Sequence, residues 1–281
     1  MELLDGKKIS SLIKEDIKNK IEKEYKVANV SIPTLACIIV GDNPASKVYV
    51  ANKEKACASV GFNSIIEKLS EDATEKKIIE TIERLNADES VSGILLQLPL
   101  PKGLNERNII SRISPLKDVD GLTETNLGKL FSGNTLVAPC TAKGIIDMLD
   151  AYNIEIEGKH AVVIGRSLLV GKSVSMLLQE KNATVTMCHS RTKNLSEITK
   201  QADILVVAIG KPKFVTADMV KDDAVVIDVG INRLESGLVG DIDFESVKEK
   251  ASHITPVPGG VGPMTIAELL RNTLTLHELN K

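Results

Sequence analysis

Tryptophan is absent from this sequence of 281 residues, and aromatic residues of all kinds make up only 2% of it. Single-stranded nucleic acid is gripped by aromatic faces that stack on bases, so that mode of binding is excluded as the main function. The core must then be built from aliphatic side chains. An excess of either charge is also missing: 35 Lys and Arg stand against 38 Asp and Glu, a formal net charge of −3. A nucleic-acid-binding domain ordinarily carries a strongly basic face, so no nucleic-acid partner is expected.

Long apolar runs are lacking too. The stretch Leu35-Ala36-Cys37-Ile38-Ile39-Val40 falls far short of the roughly 18 residues needed to span a bilayer, and no membrane partner is expected. The start, Met1-Glu2-Leu3-Leu4-Asp5-Gly6-Lys7-Lys8, has no basic-then-apolar layout of a secretory signal. Cys37, Cys57, Cys140 and Cys188 are scattered, without a CxxC pair or a neighbouring histidine arranged for zinc. Buried free thiols, no metal and a cytoplasmic location are the expectation.

What is present is alternation. Ile9, Leu12, Ile13, Ile17 and Ile21 recur at helical spacing and predict an amphipathic helix over 8–26. A strand over 34–40 and a turn at Gly41–Pro44 follow, then a helix over 45–60 that stops at Gly61. A strand at Ile65–Ile66, a helix over 74–85 and a strand over 93–96 complete a first α/β series. Residues 97–140 break the rhythm with Pro99, Pro101, Pro115 and Pro139. The alternation then resumes with a helix from Thr141 and a strand over 159–165. A helix over 168–179, a strand over 183–188, a helix near Asn194 and strands over 203–209 and 224–229 come next. The last helix is expected over 264–279. This pattern predicts parallel sheets in two α/β lobes with a cleft between them. Residues 97–140 are the expected boundary between the two.

The strand Ala161–Ile164 feeds Gly165-Arg166-Ser167-Leu168-Leu169-Val170-Gly171 and then a helix. Strand, tight turn and helix start form the setting in which a dinucleotide pyrophosphate is held. Ser167 replaces the middle glycine of the usual fingerprint and the last glycine lies one residue further on, so a plain connecting turn remains an open reading of this segment. The next strand ends in Cys188-His189-Ser190-Arg191-Thr192 without a carboxylate. NAD-binding folds place an acid there for the ribose hydroxyl, whereas Arg166, Ser190 and Arg191 suit a 2′-phosphate. NADP is therefore preferred over NAD, with an ordinary solvated basic loop as the alternative for Arg191 and Lys193.

Tyr49 and Lys53 are four residues apart on a helix and share a face. An isolated pair of this kind reads first as surface. Gln97, however, directly follows an apolar strand, and the C-terminal ends of parallel strands line ligand crevices. Asp118 and Asp120 lie in the proline-rich loop beyond. An amine shielded from water exchanges protons near neutrality more readily, a glutamine holds it without adding charge, and a carboxylate grips a cationic heterocycle edge.

At this point the chain resembles the bifunctional methylenetetrahydrofolate dehydrogenase/methenyltetrahydrofolate cyclohydrolase family. The matching stretches are 45–56, 93–101, 115–122 and 139–141, then 165–171, 228–232 and the string Pro256-Val257-Pro258-Gly259-Gly260-Val261-Gly262-Pro263-Met264-Thr265. They follow the family's order over nearly the whole length. The resemblance implies NADP-dependent oxidation of 5,10-methylenetetrahydrofolate and hydrolysis of the 5,10-methenyl product to 10-formyltetrahydrofolate. It assigns Lys53 the central part in hydrolysis, with Gln97 tuning it, Tyr49 packing by the folate and Asp120 anchoring the pterin. Leu98, Pro99, Pro258, Gly259 and Gly260 would line the substrate. Gly165, Arg166, Ser167, Ser190, Arg191 and Ile231 would hold NADP. The resemblance also implies two lobes, 1–138 joined by a C-terminal helix at about 266–281 that packs back on it and a Rossmann-like 139–265, in a protein that is usually homodimeric. Two departures stand out: Ala142 and Ser173 occupy positions where proline is common, the second of them at a helix start.

Overall fold

The computed structural model describes residues 1–235 and 237–280. In chain order, β1 (Glu2–Leu3), α1 (Gly6–Lys20), β2 (Thr34–Val40), α2 (Pro44–Val60), β3 (Asn63–Leu69), α3 (Glu75–Ala87) and β4 (Gly93–Leu96) come first. The short helices α4 (Glu106–Ile110) and α5 (Glu124–Phe131) occupy the proline-rich stretch, and α6 (Cys140–Ala151) follows. Then come β5 (His160–Ile164), α7 (Ser173–Glu180), β6 (Thr184–Cys188), α8 (Leu195–Thr199), β7 (Ile204–Val207) and β8 (Val225–Asp228). A hairpin of β9 (Asn232–Leu234) and β10 (Gly237–Val239) leads to α9 (Phe244–Val247), β11 (His253–Ile254) and α10 (Val261–Leu279).

The chain divides into two compact α/β units: one of Leu12–Ala138 with Leu269–Lys281, the other of Met1–Ser11 with Pro139–Glu268. The first is built on a three-stranded parallel sheet in the order β3-β2-β4. Every residue of β2 is buried, as a central strand covered on both faces requires. Ile78, Ile82 and Leu85 of α3 pack with Ala36, Ile38, Ile94 and Leu96 as an aliphatic core. The end of α10 belongs to this unit: the Asn272 amide donates to the carbonyls of Val119 (2.8 Å) and Ala138 (3.0 Å). His277 there bridges the Ser92 hydroxyl and the Ser31 carbonyl.

The second unit holds a six-stranded parallel sheet in the order β1-β11-β8-β7-β5-β6. Its first eleven residues are where the compact units depart from the expected domain limits. Glu2 and Leu3 pair with His253 and Ile254 as the sheet's edge, a long-range pairing of two residues that leaves no periodic trace.

Local differences have local reasons. The expected helix over 8–26 ends as α-helix at Lys20 and continues as a π-helical turn, Ile21–Lys26. The expected two-residue strand is the seven-residue β3, whose outer positions are exposed or half-buried and carry Glu67 and Lys68. Ser173 opens α7, although helical backbone begins before it. A π-helical turn, Leu168–Lys172, precedes it, and its hydroxyl donates to the Leu168 carbonyl.

Candidate functional site

In the first unit, α2 begins where Asn43 accepts the backbone N–H groups of Ala45 (2.9 Å) and Ser46 (3.2 Å), with Pro44 in the first turn. It ends at Gly61, whose φ of 82° suits glycine. Between these fixed ends Tyr49, 42% exposed, and half-buried Lys53 share one face. Gln97 follows β4, and its backbone N–H donates to the Ile38 carbonyl of β2 at 2.9 Å. Its buried side chain receives the Lys53 ammonium: Nζ donates to Oε1 at 3.0 Å. Its Nε2 donates to the Leu98 carbonyl at 2.6 Å, so the amide orientation is set from both ends. Leu98 is half-buried and Pro99 exposed beside it.

Asp120 belongs to the same neighbourhood. The Cys37 thiol is pushed up to about 12 by burial, pulled down by Lys53 and raised by Asp120 and Glu54. Both charges therefore act on one buried atom. Asp118, listed by sequence beside Asp120, has a different role. It is 1% exposed and accepts from the N–H of Leu122 (3.2 Å) and Thr123 (2.8 Å) and from the Asn126 amide (2.9 Å). Lys117 donates to the carbonyls of Leu85, Asn86 and Asp88 at 2.7–3.1 Å, closing the C-terminal end of α3, and burial lowers its pKa. Val119 packs where a Cβ on Gly93 would come within 2.2 Å of its Cγ1. Asp120 thus sits in a loop anchored at each preceding residue.

In the second unit, β5 runs into Gly165, whose φ is 131° and whose N–H donates to the Cys188 carbonyl at the end of β6. A Cβ at Gly165 would lie 2.4 Å from the Ala208 carbonyl oxygen, and one at Gly171 2.3 Å from that of Gly165. The turn is therefore close-packed at both glycines. Ser167 caps the helical segment by accepting the Val170 N–H at 3.2 Å. The register Ile164↔Cys188 puts Arg166 beside the turn His189–Thr192, which is closed by hydrogen bonds of 2.8 and 2.9 Å. Arg166, Ser167, Ser190 and Arg191 are exposed, and among the described residues neither arginine has an ion-pair partner. A carboxylate-free strand end, a close-packed glycine turn and two open guanidinium groups fit a dinucleotide bearing a 2′-phosphate.

A third group lies around the start of α10. Ile231, 47% exposed, lines a cavity of about 150 Å³ with Lys7, Asp228, Pro258, Gly259 and Gly260. The Gly259 carbonyl accepts the Lys7 N–H at 3.1 Å, and Gly260 N–H donates to Pro256 at 2.8 Å. A Cβ on Gly6 would overlap the Gly260 carbonyl oxygen at 1.8 Å. Asp228 and Asp241 were not singled out by sequence reasoning as site residues. Asp228 closes an apolar strand, as functional acids in parallel sheets often do, but its link to Asp241 is invisible in spacing. Among the described residues no group of His, Cys, Asp and Glu is arranged to hold a metal ion.

Comparison with known proteins follows this division. Residues 4–120 match the tetrahydrofolate dehydrogenase/cyclohydrolase catalytic domain, and residues 139–281 match the NAD(P)-binding domain of the same family. A protein of Thermodesulfovibrio yellowstonii, the bifunctional protein FolD, is 54% identical over 281 residues, covering 100% of this chain and 98% of its own. The crystal structure of the bifunctional FolD methylenetetrahydrofolate dehydrogenase/cyclohydrolase of Campylobacter jejuni is 48% identical, with a TM-score of 0.96 and full coverage of both chains. The Trypanosoma brucei enzyme complexed with NADP and an inhibitor is 36% identical, with a TM-score of 0.95 over 99% of this chain and 97% of its own.

Proposed function

Because the chain belongs to the tetrahydrofolate dehydrogenase/cyclohydrolase family, we propose how its own residues divide the work of the two reactions. The protein is a bifunctional enzyme. It oxidises 5,10-methylenetetrahydrofolate to the 5,10-methenyl form with NADP and hydrolyses that cation to 10-formyltetrahydrofolate. When bound, NADP supplies the hydride acceptor, so the protein's task in the first step is orientation.

Residues 1–138 with the C-terminal helix at about 266–281 carry the folate, and 139–265 carry NADP. Gly165, Arg166, Ser167, Ser190, Arg191 and Ile231 hold the dinucleotide, with Arg166 at the 2′-phosphate. Tyr49 packs on the pteridine, Asp120 accepts from its amidine-like N–H edge, and Leu98, Pro99, Pro258, Gly259 and Gly260 line it. In the second step Lys53 relays protons. As amine it accepts a proton from the water adding to the methenyl carbon; as ammonium it returns one to N5 while the C–N5 bond breaks, the formyl C=O forms and the remaining hydroxyl proton leaves to solvent. Gln97 fixes that amine by accepting from it without introducing a charge. The Lys53–Gln97 hydrogen bond of 3.0 Å carries this assignment.

The protein is read further as a cytoplasmic homodimer without nucleic-acid or membrane partners. Its formyl product would feed formyl-transfer reactions such as those of purine biosynthesis. The family resemblance supports the dimer, and no helix among the described residues is long and apolar enough to cross a membrane. A paired assay on one preparation tests the function: reduction of NADP and of NAD by the methylene substrate, then ring opening of the methenyl compound. NADP-selective reduction with accelerated opening is expected. Reduction without accelerated opening would withdraw the hydrolytic role of Lys53. Sedimentation at equilibrium tests the dimer.

A further inference from the structure

The end of β8 carries an arrangement that neither reaction yet explains. The Asp228 carboxylate is buried and accepts three backbone N–H groups, those of Gly230, Asp241 and Ile242, each at 2.9 Å. Its own N–H donates to the Thr255 hydroxyl at 2.7 Å, tying the strand end to the segment that enters Pro256–Gly262. Asp241 lies behind it, fully buried. It accepts from the N–H groups of Ile209 (2.7 Å), Gly210 (2.9 Å) and Lys211 (2.8 Å) and from the Asn232 amide (2.9 Å).

The loops close on these two acids without slack. A Cβ on Gly230 would lie 2.3 Å from the Asp241 carboxyl, and one on Gly240 1.8 Å from an Asp228 oxygen. Neither acid has an ion-pair partner among the described residues. Two buried like charges without a cation are a poor device for stability alone. Their hydrogen bonds converge instead on two segments: Ile209–Lys211, which follows β7, and Gly230–Asn232, which follows β8. Both are at the C-terminal ends of parallel strands, where such sheets receive ligands. Between Gly230 and Asn232 the side chain of Ile231 is left exposed and lines the small apolar cavity, where a Cβ on Gly262 would lie 3.7 Å from its Cδ1.

We propose that Asp228 and Asp241 are positioning residues for the dinucleotide: the pair prefolds the 209–211 and 230–232 segments so that NADP meets an ordered Ile231. The proposal rests on the reading of Ile231 as a cofactor contact. A loop already held in its binding conformation is not ordered at the ligand's expense, and affinity is gained without a new contact. Neither carboxylate touches the cofactor in this scheme; the backbone they hold does.

Asp241→Asn turns one acceptor atom into a donor facing N–H groups. Asn232→Ala removes a single tether and leaves both acids. Calorimetric titration with NADP should show affinity falling about tenfold in Asp241→Asn and about threefold in Asn232→Ala, the scale of a lost preorganising contact. Ring opening of preformed methenyl substrate, which consumes no NADP, should stay within about twofold. The KM for NADP should rise more than kcat falls. A folded Asp241→Asn protein binding NADP as tightly as the parent would overturn the proposal. So would parallel loss of NADP binding and ring opening, the mark of general destabilisation. Should Asp241→Asn fail to fold, unchanged NADP affinity in Asn232→Ala overturns it on its own. A parent protein that does not bind NADP would instead sink the cofactor reading beneath it.

Discussion

Lys53 and Gln97, 44 positions apart in sequence, meet through one hydrogen bond of 3.0 Å in which the ammonium donates to the amide oxygen. The glutamine is itself pinned by its second donation, to Leu98. Gln97→Leu should therefore release the amine rather than merely shrink a side chain. Ring opening should fall by about tenfold to a hundredfold, less than the roughly hundredfold to ten-thousandfold contribution of a proton-transfer group itself, because the amine remains. NADP affinity should be unchanged. Hydrolysis at the parent rate in the leucine variant would mean that Gln97 does not hold the catalytic amine.

Arg166 stands beside the end of β6 without an ion-pair partner among the described residues, and only NADP carries the group proposed to fill that place. Arg166→Ala should weaken NADP by about 1.5–3 kcal/mol, the range for a hydrogen bond to a charged group, and leave NAD almost untouched. Calorimetric titration of the variant with each cofactor checks this. Equal losses would show that Arg166 does not read the 2′-phosphate.

Asp118 lies two positions before Asp120, the acid proposed to hold the pteridine. Asp118→Ala strips acceptors from two backbone N–H groups and the Asn126 amide in a buried setting. A loss of about 3 kcal/mol is expected from leaving such donors unpaired, read as a lower midpoint in thermal or urea unfolding. Because the next turn carries Asp120, folate KM should rise as well. A variant as stable as the parent would contradict the role given to Asp118.

Asp228 offers a pH signature. Burial pushes its carboxyl up to about 6, overcoming three backbone N–H donors that pull the other way, and Asp241 adds to the rise. A carboxyl raised on folding binds its proton more tightly in the native state. Its stabilising contribution is therefore full below the unfolded value of about 3.8 and is lost as pH rises through about 6. The sign is opposite to that of a salt-bridged acid. Carbon-13 NMR of the Asp228 carboxyl should give a midpoint near 6; an ordinary midpoint near 4 would show that the backbone donors fully offset burial.

The sequence made local structure readable where the cause is local. Asn43-Pro44 and Gly61 bracket α2 by capping chemistry, and the aliphatic run of β2 announces a central strand. The shared face of Tyr49 and Lys53 followed from helical spacing, and the carboxylate-free end of β6 pointed to a 2′-phosphate. What escaped was pairing at a distance. β1 and β11 are two residues long and exist only through each other and β8. β3 hid at an edge, with charges among its apolar positions. Lys117 closes a helix that ended some thirty residues earlier, and Asp228 meets Asp241 across a hairpin. Asp118 and Asp120 look alike in sequence; only the donors around Asp118 separate its structural part from that of its neighbour.

Lys53→Met gives the most direct test of the account, assayed on one preparation for both reactions. The methionine keeps most of the side chain's bulk and removes the amine. Ring opening should fall at least a hundredfold, the contribution of a proton-transfer group in position, while calorimetry shows NADP bound as in the parent. Ring opening retained at the parent rate would contradict the account.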